Sequence, residues 1–148
     1  MTREYPDRPI VGVGAVVWRE NRVLLVRRGK PPRAGQWSIP GGGQHVGETL
    51  HEAVSREVAE EAGLALASLD LLTTVDLVER DDQGRVQWHY TLIDFTAEAA
   101  SGEARAGDDA DEVGWFTLDE LKGLGLWTET LRIIRMAAEK REEAKPQI

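Results

Sequence analysis

Apolar residues recur along this chain with two different periods, and the periods divide it into elements. Residues 10–18 (IVGVGAVVW) form a β-rich apolar run, and residues 22–28 (RVLLVRR) form a second. β-Branched residues favour a pleated surface, and Glu20 and Asn21 between the runs suit a turn, so the two runs predict a hairpin. Residues 30–35 carry two prolines and read as a loop. Residues 37–40 are a short extended piece feeding Gly41, Gly42 and Gly43. Residues 71–79 and 86–96 read as strands joined by a turn at residues 81–84. Residues 97–111 form a polar, acidic loop, and 112–116 a short extended piece. Thr117 and Glu120 repeat the Thr-x-x-Glu spacing of a capping box and open a short helix ending near Gly123. Residues 128 to about 140 carry the helical period, with Leu131, Ile134 and Ala138 expected to face the core. Residues 1–8 and 141–148 are expected to be loose ends of one domain spanning residues 1–148.

The most informative helix lies between Thr49 and Gly63. Thr49 caps it, Glu52 completes the capping box, and Gly63 is a natural stop. At about 100° per residue, with Leu50 at zero, Ala53, Val54, Val58 and Ala62 spread over one broad apolar arc. Glu57 falls at about −20° and Glu61 at about +20°, inside that arc, while Glu60 lies on its edge near about −80°. A solvated acidic face accounts for Glu52 but not for Glu57 and Glu61. Carboxylates on a buried face need something positive, and Arg56 starts well away from the arc's centre; its bland reading is a surface ion pair with Glu52, four residues before it. A divalent cation answers the need, because carboxylates at i, i+3 and i+4 converge and hard oxygen ligands suit Mg²⁺ or Mn²⁺.

These residues resemble the Nudix hydrolase signature. That signature is Gly, five residues, Glu, seven residues, then Arg-Glu-apolar-any-Glu-Glu-any-Gly-apolar. Here it falls on Gly42, Glu48, Arg56, Glu57, Val58, Glu60, Glu61, Gly63 and Leu64, and every specified position matches. The resemblance implies an α/β fold, an α/β/α sandwich with a mixed central sheet. It implies a hydrolase acting on phosphoanhydride bonds, with Mg²⁺ (or Mn²⁺ in its place) on Glu57, Glu60, Glu61 and the Gly41 carbonyl. Arg56 would steady the carboxylates and Glu48 would support the loop. The implied substrate is a nucleoside diphosphate linked to another group, with ADP-ribose the leading case. The alternatives are a nucleoside triphosphate pyrophosphohydrolase that cleans the nucleotide pool, or a catalytically silent domain that only binds nucleotide.

Composition narrows the partners. The chain has 148 residues, a net charge of −8 and no cysteine. The length allows a real core, and the absence of thiols fits a reducing cytoplasm and excludes thiolate metal sites. The acidic balance makes nucleic acid a poor partner, and no stretch has the length or apolarity of a signal core or membrane span. A small nucleotide is the expected partner, with a homodimer left open. Arg27, Arg28, Lys30 and Arg33 form the dense basic patch, just before the glycines. At least one is expected on a substrate phosphate, although Arg27 and Arg28, adjacent in a strand, point to opposite faces. Asp108, Asp109, Asp111 and Glu112 form an acidic cluster. The resemblance implies one further carboxylate from this region, a metal ligand or a general base, and Glu112 or Asp109 is the choice. His45, His51 and His89 show no ligand spacing, and Trp37, Trp88 and Trp115 are candidates to stack on a base.

Overall fold

β1 (Ile10–Arg19) and β2 (Arg22–Arg28) form the expected hairpin, with Trp18 opposite Val23 and Arg19 opposite Arg22. Glu20, in the turn, takes a φ of 54°, the left-handed region that tight hairpin turns favour. This computed structural model describes residues 3–107 and 109–145. β3 (Trp37–Ser38) pairs with β2, and β4 (Gly41–Gly43) pairs with β1. α1 (Leu50–Ala62) leads to β5 (Leu66–Arg80), β6 (Val86–Ala99) and β7 (Ala110–Thr117). A 3₁₀ turn, Glu120–Gly123, precedes α2 (Thr128–Glu143). Thr117 and Glu120 do exchange hydrogen bonds before that turn, at 2.9 Å and 3.4 Å.

The main path of the sheet runs β3-β2-β1-β6-β5, with β4 added to β1 and β7 to β2. β1 and β6 are parallel and the other pairs antiparallel, so the sheet is mixed. Alternation along β1 sends Val13, Ala15 and Val17 to one face and Val16 and Trp18 to the other. α1 covers the first face with Ala53, Val54, Val58 and Ala62, and α2 covers the second with Ile133, Ile134 and Ala137. That is the expected sandwich, and it explains why β1 and β2 read as apolar runs: both of their faces are buried. Gly12 and Gly14 fall on the α2 face. A Cβ on Gly12 would sit 2.8 Å from Leu92, and one on Gly14 would sit 2.8 Å from the Asp94 carboxylate. These two positions leave a hollow between the sheet and α2.

Some boundaries and faces differ from the sequence reading. β5 begins five residues earlier, because Leu66 and Leu69 join the core under α1. α2 turns a slightly different face inward: Thr130, Ile133, Ile134 and Ala137 are buried, and Leu131 and Ala138 only partly so. Thr130 faces the hollow that the β1 glycines leave. The ends are tied where loose ends were expected. Arg141, still within α2, pairs with Glu98 at 2.7 Å and lies 4.8 Å over the Trp18 ring. The Tyr5 N–H donates to the Gln87 carbonyl at 2.8 Å, and its hydroxyl donates to Asp81 at 2.9 Å. Residues 1–2 and 146–148 of the expected loose ends lie outside the described residues. Among the described residues no helix is long and apolar enough to cross a membrane.

Candidate active site

α1 begins as its sequence dictates. The Glu52 N–H donates to Thr49 Oγ1 at 3.1 Å, and Glu52 Oε1 accepts from the Thr49 N–H at 3.2 Å. Gly63 closes the helix at a φ of 69°, a conformation that costs glycine little. Four turns of helix are thereby fixed against β4, and with them the carboxylates.

Glu61 is 9% exposed. Its Oε1 accepts the Gly41 N–H at 3.1 Å. Burial first, and then a hydrogen bond to the neighbouring Glu57, push its carboxyl up to about 8. Gly42 lies against this pair: a Cβ there would be 2.5 Å from the Glu57 carboxyl. Only glycine lets the β4 backbone come this close.

Arg56 starts away from the arc's centre, yet its side chain bends back over the acids. It does not pair with Glu52. Its Nη1 donates to Glu57 at 2.8 Å and to Glu60 at 3.2 Å. Nε and Nη2 grip Glu48 at 2.6 Å and 3.0 Å, and Nη2 also reaches the Gly43 carbonyl at 2.9 Å. The planar fork of five donors suits such bridging, and a long side chain rooted at the edge of an arc can bend back over it. Arg56, with the His45 N–H, holds the Glu48 carboxyl down to about 2. Arg56 thus ties the loop before the helix to the acids on it.

The three helix carboxylates line a cleft of about 670 Å³ together with Gly41, Gly42, Arg28, Lys30 and Asp109. Engaged as they are with Arg56 and Gly41, they do not stand as a ready-made cage. Among the described residues no group of three or more acidic or histidine side chains is set to hold an ion. The donor set nonetheless fits a hard divalent cation: it is all oxygen, and a cation would relieve the crowding of carboxylates at Glu57 and Glu61. The Gly41 contact seen here is made by its amide.

The remaining candidates separate. Arg28 lines the cleft, its Nε anchored to the Pro32 carbonyl at 2.8 Å. Arg27 faces elsewhere and pairs with Glu112, its register partner across β2 and β7, at 2.7 Å. Neither Arg27 nor Glu112 lines the cleft, so the structure does not bring Glu112 to the helix acids. Asp109 does reach the cleft, paired with Lys30 at 2.7 Å. Asp108 lies outside the described residues. Arg33 pairs with Glu79 at 2.7 Å and sits 4.5 Å over the Trp127 ring. Trp37 packs edge-on against Phe116, with ring centroids 5.2 Å apart, and Trp115 lies under Arg19. Of the three tryptophans that were candidates to stack on a base, each more readily read as core, Trp88 alone lines the cleft. His51 sits edge-on to Phe95.

Behind Gly41 and Gly42 lies a second, inner cavity of about 130 Å³, between the sheet and the start of α2. Gly12, Gly14, Ile39, Leu92, Trp127, Thr130 and Ile133 line it, and so does Asp94. Asp94 is 4% exposed, and no described residue donates a hydrogen bond to it. Burial pushes its carboxyl up to about 7, against the opposing charge of Arg132. Arg3, Arg28, Gly41, Gly42 and Tyr90 line both cavities. The sequence reading did not single out Arg3, Tyr90, Asp94 or Trp127. Two signals were there: an acid in the apolar run LIDF, and glycines alternating in IVGVG.

A helix that presents carboxylates behind a glycine strand, on a sheet flanked by helices, defines a Nudix hydrolase. The NUDIX domain model matches residues 8–136, and the chain belongs to that family. It is 38% identical over 116 residues to an ADP-ribose pyrophosphatase of Methanocaldococcus jannaschii, covering 78% of this chain and 66% of that protein. The chain thus spans about two thirds of that relative's length. A putative 8-oxo-dGTP diphosphatase 2 of Mycobacterium tuberculosis is 38% identical over 113 residues, covering 76% of this chain and 75% of the other. Among solved structures, a MutT NUDIX hydrolase from Burkholderia pseudomallei superposes with a TM-score of 0.75 at 37% identity, covering 90% and 98% of the two chains. The NUDIX domain of Shewanella oneidensis NrtR, solved with ADP ribose, gives 0.76 at 25% identity, covering 91% and 90%.

Proposed function

We propose that this Nudix hydrolase cleaves a phosphoanhydride in a nucleoside diphosphate linked to another group, with ADP-ribose the first substrate to try. The observation that carries the reading is the convergence of Glu57, Glu60 and Glu61 on one cleft, faced by Arg28, Lys30 and Gly41. Glu57, Glu60, Glu61 and the Gly41 carbonyl would hold Mg²⁺, which when bound neutralises the diphosphate and acidifies a bound water. Arg28 and Lys30 contribute positive charge on the facing wall, where the phosphates would lie. Arg56 keeps Glu57 and Glu60 aimed into the cleft by gripping Glu48 and Gly43 from behind. The attacking water must lose a proton to a carboxylate within reach. Glu60 and Asp109 line the cleft and are the acceptors to test; Glu112, bound to Arg27, is not.

The mycobacterial relative supports a second reading, in which a nucleoside triphosphate is the substrate. Both readings use the same cleft. A panel of nucleoside diphosphate derivatives and triphosphates, with product analysis in heavy-oxygen water, tests them. Mg²⁺-dependent release of a nucleoside monophosphate from ADP-ribose, abolished by chelator, is the expected result. Cleavage of triphosphates alone transfers the assignment to the second reading. Nucleotide binding without hydrolysis leaves only a silent binding domain.

A further inference from the structure

We propose that Asp94 is a specificity-determining residue, whose carboxylate receives an N–H from the exocyclic amino group of a purine lodged in the inner cavity. The proposal rests on the nucleotide reading above and names the part of the nucleotide that this second cavity takes.

Asp94 is an acid without a donor among the described residues. Buried polar atoms in folded proteins are nearly always hydrogen-bonded, and an acceptor left without a donor is costly. Asp94 is almost wholly buried as a residue and accepts no hydrogen bond from any described residue, and its carboxylate oxygens open only onto the cavity it lines, where a donor can reach them. Its position is fixed from both sides, because β6 is an interior strand. Asp94 pairs in register with Gly14 on β1 and Thr73 on β5. Gly14 makes room for the carboxylate, since a side chain there would collide with Oδ1. The strands thus hold an acid over a space that the glycines keep open.

The walls say what shape the space takes. Ile39, Leu92, Ile133 and Trp127 are apolar or aromatic, which suits a flat ring better than a hydroxyl-rich sugar. An ionised carboxylate only accepts hydrogen bonds, so the edge that meets it must carry N–H groups. Arg33, which also lines this cavity, keeps its Nε buried without a partner. The cavity adjoins the cleft at Gly41 and Gly42, so a nucleotide can place its base inside and its diphosphate over Glu57 and Glu61. An amino group at C6 and one at C2 offer the same chemistry to Asp94, and the test separates them.

The test measures binding, by calorimetry with Mg²⁺ present, of nucleoside diphosphates whose bridging oxygen is a methylene. Adenosine is compared with unsubstituted purine riboside, and guanosine with inosine, so each pair differs by one amino group. In the wild type the amino-bearing member of one pair is expected to bind about 10- to 100-fold tighter, the range for a hydrogen bond to a charged group. In Asp94→Leu that preference is expected to vanish. In Asp94→Asn, which keeps an acceptor without the charge, it is expected to fall below about 10-fold. Equal binding within both pairs by the wild type overturns the proposal and needs no variant. An undiminished preference in both variants overturns it too. Binding of all four alike removes this proposal alone, whereas binding of none removes the nucleotide reading with it.

Discussion

Glu61 and Asp94 are two buried carboxyls on opposite sides of the β4 glycines, and the protein treats them differently. Both are pushed up by burial, to about 8 and about 7. Glu61 sits in a web: Gly41 donates to it, Glu57 is hydrogen-bonded to it, and Arg56 holds Glu57 and ties it to Glu48. Asp94 has no such web: no described residue donates to it, and the nearby charge of Arg132 only partly offsets its burial. A webbed acid can exchange its proton for a cation without disturbing the fold, whereas a bare acid waits for a donor from outside. The first arrangement suits chemistry, and the second suits selection.

The largest effect should come from removing charge in the web. Glu57→Gln and Glu61→Gln are each expected to cut turnover by about a hundredfold or more and to weaken Mn²⁺ binding, read by kinetics and metal titration. Near-wild-type turnover in either variant would sink the metal-site reading. Gly42→Ala comes next. Its Cβ would stand 2.5 Å from the Glu57 carboxyl, so turnover should fall about tenfold or more while the melting temperature moves little. A large melting shift with normal kinetics would show that the glycine serves the fold rather than the site.

A third expectation concerns pH. Glu61 titrates near 8 when folded against an ordinary value of 4.5, and Asp94 near 7 against 3.8. Above the ordinary values the unfolded chain has released protons that the folded chain keeps. The stability these two groups lend the metal-free protein should therefore be full only below about pH 4, decline steadily above it, and be gone once pH has passed about 7 and 8. Mg²⁺ should raise the melting temperature most at the alkaline end, and chelator should not unfold the protein. Glu61→Gln should flatten the pH slope; an unchanged slope would place its cause elsewhere.

The smallest effects lie in the acidic cluster. Asp109→Asn is expected to lower turnover severalfold with metal affinity nearly intact, as removal of a proton acceptor would do. Glu112→Gln should leave kinetics alone and change stability by under about 0.5 kcal/mol, because its pair with Arg27 is exposed. The reverse outcome would return Glu112 to the chemistry and remove Asp109.

What could be read from the sequence followed the range of the interaction. The capping box, Gly63 and the arc holding Glu57 and Glu61 arise within a few turns of one helix, so periodicity alone located them. For Arg56 the wheel gave only where the side chain starts, away from the arc's centre, and not where its flexible fork ends, on Glu57 and Glu60. Glu112 and Asp109 could not be told apart, because the β2–β7 register shifts between Arg27 and Arg28. That irregularity leaves Glu112 opposite Arg27, while Asp109 reaches the cleft. The inner cavity needs Gly14 from β1, Asp94 from β6 and Thr130 from α2. Pieces that far apart in the chain meet only once the sheet is assembled.

Gly41 and Gly42 make a partition one backbone thick. A side chain on either would have to stand in one chamber or the other, and a Cβ on Gly41 would meet the Val13 carbonyl. Both chambers share that wall, and it fixes the step between them. Substitutions at Leu92, Asp94 or Trp127 can then retune what the inner chamber accepts without disturbing the acids on α1. A lineage with such a wall can change its diet while keeping its teeth.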